Sequence, residues 1–432
     1  MRLTDHLIVI SFDCLSSLDF QMLEQLPNFK ELLRNGSYCK QVETIYPSVT
    51  YPCHTSIITG KFPNRHGVVN NTFLQPGAIS PDWYWHRKHI KGTTLYDEAK
   101  KAGLRTAALL WPVTAKANID YNMPEIFANR NWHHQVAVSL SNGSLRYQLD
   151  MNRKFGKTRK GLQQPELDDF VLASTVETII KKQPNLLLVH FTDLDTKRHY
   201  HGFSSKEAIQ AIHRHDQRLG EIIGALKQAG MYEKSTIVAL GDHSALDESS
   251  VIKPNILLRE KGLLTIDDQE RITDWKAYCK SCDGSAYVYV KDPTDAETKR
   301  IVHEIFKGIQ GESGIESILT GMEAALKGAD GSAFLMLEAK QGYYFKEYAT
   351  GTYIEEISPD DVQAGRYTYA SHGYSPDKKD YTTIFMATGR GIKPHINLNS
   401  MHLVDEGPTF AKLLGVDLGA TDGRIVEELL NL

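Results

Sequence analysis

Runs of consecutive apolar residues, too short for helices, recur along the chain at 7–12, 106–110, 186–191, 236–240 and 383–387. They are apolar at successive positions and not at alternate ones, which suits strands covered on both faces. Between them apolar positions recur at helical spacing, as at 94–101 and 206–227, and Gly103 and Gly230 follow these segments. Glycine just past a last turn is a good helix stop. Asp405-Glu406-Gly407-Pro408 opens a last helix, with proline where a first turn tolerates it. Strands alternating with helices predict an α/β fold, a mostly parallel central sheet with helices on both faces.

Two stretches break this rhythm. Residues 121–165 are polar and rich in Asn, Gly and basic residues, and are expected to form a long surface excursion. Residues 251–365 carry their own small pattern, a strand at 285–290 followed by a helix at 296–309. The division expected is a catalytic core of 1–250 and 366–432, with 251–365 an inserted smaller α/β subdomain that shapes the substrate pocket. No fixed-period repeat and no low-complexity tract occurs.

Composition narrows the class of protein. With 432 residues, 41% hydrophobic and 24% charged, the chain can bury a large core without disulfides or a structural metal. A formal net charge of −4 gives no field that would favour a nucleic-acid polymer or an acidic membrane. No apolar run approaches the roughly 20 residues that span a bilayer. The first residues pass straight into the strand at 7–12 without a leader-like pattern, and five scattered cysteines suit a reducing compartment. The expectation is a cytoplasmic enzyme.

Chemistry collects where these strands end, as it does in open α/β sheets. Asp13 closes the first strand; Asp193, Asp195 and His199 follow the third; Asp242-His243 follows the fourth; His372 precedes the fifth. Each has an ordinary reading, as a cap, a polar surface pair or a loop histidine. All four placements nevertheless point to one edge of the sheet. Asp oxygens with His nitrogens favour zinc or a similar first-row divalent ion over calcium or magnesium. Thr50 lies in a proline-bounded loop before a helix expected from Thr55 to Gly60. It would there be a nucleophile near orphan N–H groups or simply a capping residue, and spacing alone does not separate the two.

The order of these elements resembles the nucleotide pyrophosphatase/phosphodiesterase branch of the alkaline phosphatase superfamily. Thr50-Tyr51-Pro52-Cys53-His54 matches that family's Thr-aromatic-Pro-Asn-His segment except at Cys53. Thr59-Gly60, Pro63-Asn64-Arg65-His66-Gly67 and Asn71 follow in the family's order, as do Asp13, Asp195 with His199, Asp242-His243 and His372-Gly373. Cys14 stands where a glycine usually follows the first metal aspartate. The two cysteine departures imply altered packing, not lost catalysis.

The resemblance implies two divalent metal ions, zinc first and manganese second. Asp13, Asp242 and His243 would hold one, with Thr50 on its open position; Asp195, His199 and His372 would hold the other. Thr50 would form a covalent phospho-threonine intermediate, which water then hydrolyses, while Asn71 and the Thr50 N–H stabilise a non-bridging oxygen. Tyr51 would stack on a nucleobase or pack at the rim, and the segment 83–89 lines the pocket mouth or folds back as a surface loop. The expected partner is a small phosphate ester, nucleotide or phosphonate. Phosphonoacetate-type or phosphomonoester hydrolysis is the near alternative, and a non-catalytic nucleotide-binding module the distant one. Cys279 with Cys282, His213 with His215 and the sequon at Asn142 are set aside; the basic run 153–160 is expected to be a solvated loop, with steering of an anionic substrate left open.

Overall fold

The computed structural model describes residues 2–309 and 314–432. The main sheet contains β1 (His6–Phe12), β2 (Gly36–Glu43), β3 (Thr106–Leu109), β4 (Tyr121–Met123), β5 (Leu186–Phe191) and β6 (Ser235–Leu240). Its order is Asn397–Leu398, β2, Thr383–Gly389, β6, β1, β5, β3, β4, with Met401–His402 also on β2. β1 runs parallel to both β5 and β6, with Phe12 opposite Phe191 and Ser11 opposite Leu240. Thr383–Gly389 is antiparallel to β6 and to β2.

The continuous apolar runs follow from this burial. Leu7 and Val9 join one hydrophobic cluster with Ile57 and Phe410; Ile8, Ile10 and Phe12 join another with Phe29, Ile179 and Leu219. Successive side chains of one strand thus enter different layers, and both faces must be apolar. Helices Thr50–Thr59 and Glu406–Leu414 cover one face; Pro27–Asn35, Glu166–Lys182 and Lys206–Gln228 cover the other.

A second, antiparallel sheet is ordered Ala277–Ser281, Ser285–Val290, Leu335–Ala339, Ile315–Thr320. Helix Ala296–Ile309 sits in the same region, and Val302 and Phe306 pack into that sheet's own cluster. Strand Leu246–Ile252 leads into this region and pairs with Gly342–Phe345 and Ile354–Glu356, while Ala370–Ser371 pairs back onto its start.

Residues 121–165 are not a simple surface excursion. They hold β4 and the helices Gln135–Asn142 and Leu145–Phe155. Their polar composition reflects short amphipathic helices: Tyr147 and Met151, one helical turn apart, are buried in the core while the opposite face is wet. No described helix is long and apolar enough to cross a membrane.

Candidate metal centre and active site

Because β1, β5 and β6 are adjacent and parallel, the residues after them share one sheet edge. Asp13, Asp195 and Asp242 converge there. His243 follows Asp242 directly. Helix Asp193–His201 places His199 one turn beyond Asp195, and the loop after Ala370–Ser371 brings in His372. The result is two groups, Asp13–Asp242–His243 and Asp195–His199–His372, with the ligand atoms of each within 4.8 Å of one another.

The histidines are oriented from behind. His199 donates through Nδ1 to the Ala370 carbonyl at 2.8 Å, and His243 Nδ1 meets the Ser244 carbonyl at 3.1 Å. Both arrangements leave Nε2 turned toward the carboxylates, as in a histidine poised to bind a metal. His243 Nε2 lies 3.1 Å from Asp242 Oδ2 and 3.3 Å from Asp13 Oδ1; His199 Nε2 lies 3.3 Å from Asp195 Oδ1. The His243 and His372 rings stack at 4.0 Å.

Asp13 Oδ1, Asp242 Oδ2 and His372 Nδ1 are buried without a hydrogen-bond partner. Burial and the neighbouring carboxylates push Asp13 well above the usual aspartate range, and burial lifts Asp242 to about 6. Burial pushes His243 down to about 4 and His372 to about 3, so both are neutral near pH 7 and able to bind a cation. His199 differs: burial opposes its charge, but Asp195 outweighs burial and raises it to about 9. Two buried carboxylates with orphaned oxygens, a third beside His199, and the neutral imidazoles of His243 and His372 fit divalent cations.

Thr50 is not a cap. Val49 takes that position, and Thr50 opens the helix Thr50–Thr59, which starts a turn earlier than the sequence pattern implied. Pro52 is tolerated because first-turn N–H groups have no intrahelical partner. Thr50 Oγ1 lies 3.3 Å from His243 Nε2. His54 anchors the helix to the sheet, with Nδ1 2.8 Å from the Thr50 carbonyl and Nε2 2.9 Å from Ser11 Oγ. Burial keeps His54 neutral, so Nδ1–H donates and Nε2 accepts. Asn71 Oδ1 accepts the Tyr51 N–H at 2.8 Å, which takes one of the two leading N–H groups and leaves that of Thr50 for a ligand.

A cavity of about 500 Å³ opens above Thr50, Asn71, Asp195, His199 and His372. The chain matches the family described as type I phosphodiesterase / nucleotide pyrophosphatase across residues 7–375. It belongs to that family. Among members of the type I phosphodiesterase/nucleotide pyrophosphatase family, human ectonucleotide pyrophosphatase/phosphodiesterase family member 1 is 24% identical over 229 residues, 50% of this chain and 21% of that protein. Venom phosphodiesterase 2 of Crotalus adamanteus is 25% identical over 229 residues, 50% of this chain and 24% of that protein. The chain therefore spans well under two thirds of these relatives. Murine ectonucleotide pyrophosphatase/phosphodiesterase 5 shares the fold, with a TM-score of 0.68 at 19% identity, covering 99% of this chain and 100% of that one. Its inactive threonine-to-alanine variant in complex with AMP has the same TM-score, 0.68.

Departures from the family pattern find places here. Cys14 adopts φ +66°, the left-handed region that favours glycine, and its N–H donates to Asp242 Oδ1 at 3.1 Å. Cys53 is buried, 3.5 Å from Thr44 Oγ1. Tyr51 is buried with its ring edge-on to Trp83 at 5.1 Å, and both residues border the cavity. Trp83 lines the cavity, whereas Trp85 of the same segment is buried.

Other side chains at the centre were not apparent from spacing. His190, inside β5, lies 3.1 Å from Asp13 Oδ2 and 3.2 Å from Glu125 Oε2. Burial opposes its charge, but these two carboxylates raise it well above the histidine range. A histidine in the otherwise apolar run 186–191 was the available signal. Lys346 and Asp283, 3.3 Å apart, reach the cavity from the segment 251–365. Of the residues set aside, Cys279 and Cys282 are buried free thiols, and His215 packs against Phe12. In the basic run, Lys154 pairs with Asp150 and Glu177, and Lys160 with Glu166.

Proposed function

We propose that the chain hydrolyses small phosphodiesters with Thr50 as nucleophile at a pair of divalent metals, zinc first by donor type and manganese second. The observation that carries this reading is Thr50 Oγ1 at a helix start, 3.3 Å from His243, with the two ligand groups beside it. Asp13, Asp242 and His243 would hold one ion and Asp195, His199 and His372 the other. Bound there, the metals would supply Lewis-acid neutralisation of the phosphoryl oxygens and favour the Thr50 alkoxide. Thr50 Oγ1 attacks phosphorus, a P–O bond forms to the threonine, and the bond to the leaving ester oxygen breaks. Water then cleaves the phospho-threonine and restores the hydroxyl. Asn71 Nδ2 and the Thr50 N–H donate to the non-bridging oxygen as charge builds, and His54 holds the helix start in place.

The Asp283 carboxylate beside Lys346, 3.3 Å away, favours a singly charged diester over a monoester or a carboxylated phosphonate. The cavity's lysine, Lys346, pairs with Asp283, while its arginine, Arg159, donates to the neutral amide oxygen of Asn152. The relatives' names, nucleotide pyrophosphatase and phosphodiesterase, support the same reading. The inserted region 251–365 would shape the pocket through Asp283 and Lys346.

The test compares bis(4-nitrophenyl) phosphate, 4-nitrophenyl phosphate and phosphonoacetate as substrates of the metal-loaded protein, beside Thr50→Ala. The diester should be turned over best, and Thr50→Ala should lose at least about 10³ in kcat. Equal activity in the variant sinks the nucleophile, and a preference for the monoester sinks the diester reading.

A further inference from the structure

Asp13, Asp242 and His243 follow strands, whereas Asp195 and His199 ride on the helix Asp193–His201. The spacing of the two ligand groups therefore depends on how that helix docks against the loop after β1. Arg198 stands between Asp195 and His199 and is 1% exposed, although it belongs to neither group. Its Nη1 donates to the Cys14 carbonyl, its Nη2 to Asp19 Oδ1 at 2.6 Å and its Nε to the Phe203 carbonyl at 3.2 Å. The guanidinium also lies over the Phe203 ring, with Cζ 3.7 Å from the centroid. Taking such an ion pair out of water costs about as much as its attraction returns, so it contributes little to stability. A planar fork with each partner fixed in direction has another effect: it holds the helix in one place against the loop.

The loop answers through the backbone of Cys14. At φ +66° that residue sends its N–H to Asp242 Oδ1, 3.1 Å away, and its carbonyl to Arg198. One residue thus touches a ligand of the first group and the helix that carries the second. The residues after it are tied to the same side. Ser244 Oγ, next to His243, donates to Ser16 Oγ at 2.8 Å, and Thr383 Oγ1 donates to the Leu15 carbonyl at 2.7 Å. Asp19 closes the arrangement: its Oδ2 accepts the Ser16 N–H at 2.8 Å while its Oδ1 accepts from Arg198. Its charge also offsets the guanidinium, which would otherwise repel cations held nearby.

We propose that Arg198 is a positioning residue, and that with the Cys14 peptide it forms a strut that sets the spacing of the two cations. This rests on the paired-metal reading of the site and adds the part that fixes one ligand group against the other. Arg198 is not among the described residues that line the cavity, so its effect on the reaction runs through the ligands. In an in-line displacement clamped between two ions, a shift of about 1 Å in one of them costs about 10²-fold in rate.

The experiment loads the full chain with manganese(II) and reads its electron paramagnetic resonance, because two such ions held close give a spin-coupled signal that follows their separation. Arg198→Met combined with Asp19→Asn removes the donor to the Cys14 carbonyl without leaving a buried charge unpaired, and the new amide oxygen can still accept the Ser16 N–H. Arg198→Lys keeps the charge beside Asp19 but replaces the fork with one ammonium, so it stands in if the double variant does not fold. Each variant should still bind two ions per chain, with most of the coupled signal replaced by that of isolated ions. Its kcat for bis(4-nitrophenyl) phosphate should fall by about tenfold or more while KM stays within about threefold. A coupled signal of full strength in the folded variants overturns the strut alone. Variants that hold one ion instead of two also overturn it, since Arg198 would then build the second group and not space it. An unsubstituted chain that binds fewer than two ions, or two with no coupled signal, removes the paired-metal reading and the strut together.

Discussion

Asn71 shows how little freedom the reaction centre leaves its residues. Its Oδ1 accepts the Tyr51 N–H at 2.8 Å, and its own N–H donates to Asn70 Oδ1 at 2.7 Å. With the carbonyl end tied down, the amide NH2 is the group left to face a phosphoryl oxygen. A donor aimed in advance at developing charge is worth far more than the same donor in water. Asn71→Ala should therefore lower kcat by about 10² to 10³ while metal content stays at two ions per chain. Asn71→Asp should be slower still, since a carboxylate in place of the amide donor repels the phosphoryl oxygens. Steady-state kinetics beside elemental analysis reads both. An Asn71→Ala enzyme within threefold of the parent would show that the Thr50 N–H and the metals carry the oxyanion without it.

At the scale of elements, legibility followed the range of the interaction. β1, β5 and β6 declared themselves through consecutive apolar residues because each is buried on both faces, and Asp13, Asp195 and Asp242 then had to share an edge. β2 went unread: its sequence GSYCKQVE alternates weakly, and it is a strand because Thr383–Gly389 and two short segments pair with it from far along the chain. Asp283 and Lys346 left no local trace either, since tertiary packing alone delivers them to the cavity. Asp283 sits in a turn at φ +61°, beside Gly284, whose N–H donates to the His372 carbonyl at 2.8 Å. The turn at Asp283-Gly284 thus also holds the His372 loop, and Gly373 is the tightest point of that contact. It has φ +83°, and a Cβ there would fall 1.7 Å from the Cys282 carbonyl oxygen. Gly373→Ala should destabilise the protein by at least about 2 kcal/mol through backbone strain and displacement together. It should also strip the ion held by Asp195, His199 and His372 while sparing its neighbour. Urea unfolding and metal counting check this, and a variant of parental stability with both ions would mean that the two loops can separate at no cost.

For the whole molecule, the proposed metal centre would couple folding, protons and cations. Above about pH 6.5 the imidazoles of His243 and His372, held down at about 4 and about 3, are neutral whether the chain is folded or not. His199, raised to about 9 despite burial because Asp195 stands beside it, is charged in the folded metal-free chain and largely neutral in the unfolded one. Between these limits the folded state binds the extra proton, so the contribution of His199 to stability falls as pH rises. It is full below about 6.5 and gone above about 9, a loss of roughly 3 kcal/mol. His190, raised by Asp13 and Glu125, acts in the same direction. Metal-free protein should accordingly melt at progressively lower temperature from pH 7 to pH 9. Cation binding works against that trend, because His199 must release its proton before Nε2 can ligate, and affinity should gain up to about tenfold per pH unit for each proton displaced. Titrating zinc into metal-free protein at pH 7.5, in two buffers of different ionisation enthalpy, should show proton release, and the loaded protein should hold its melting temperature across the same range. Binding without proton release, or a metal-free protein that gains stability toward pH 9, would mean that His199 is already neutral and that Asp195 is waiting for the cation unpaired.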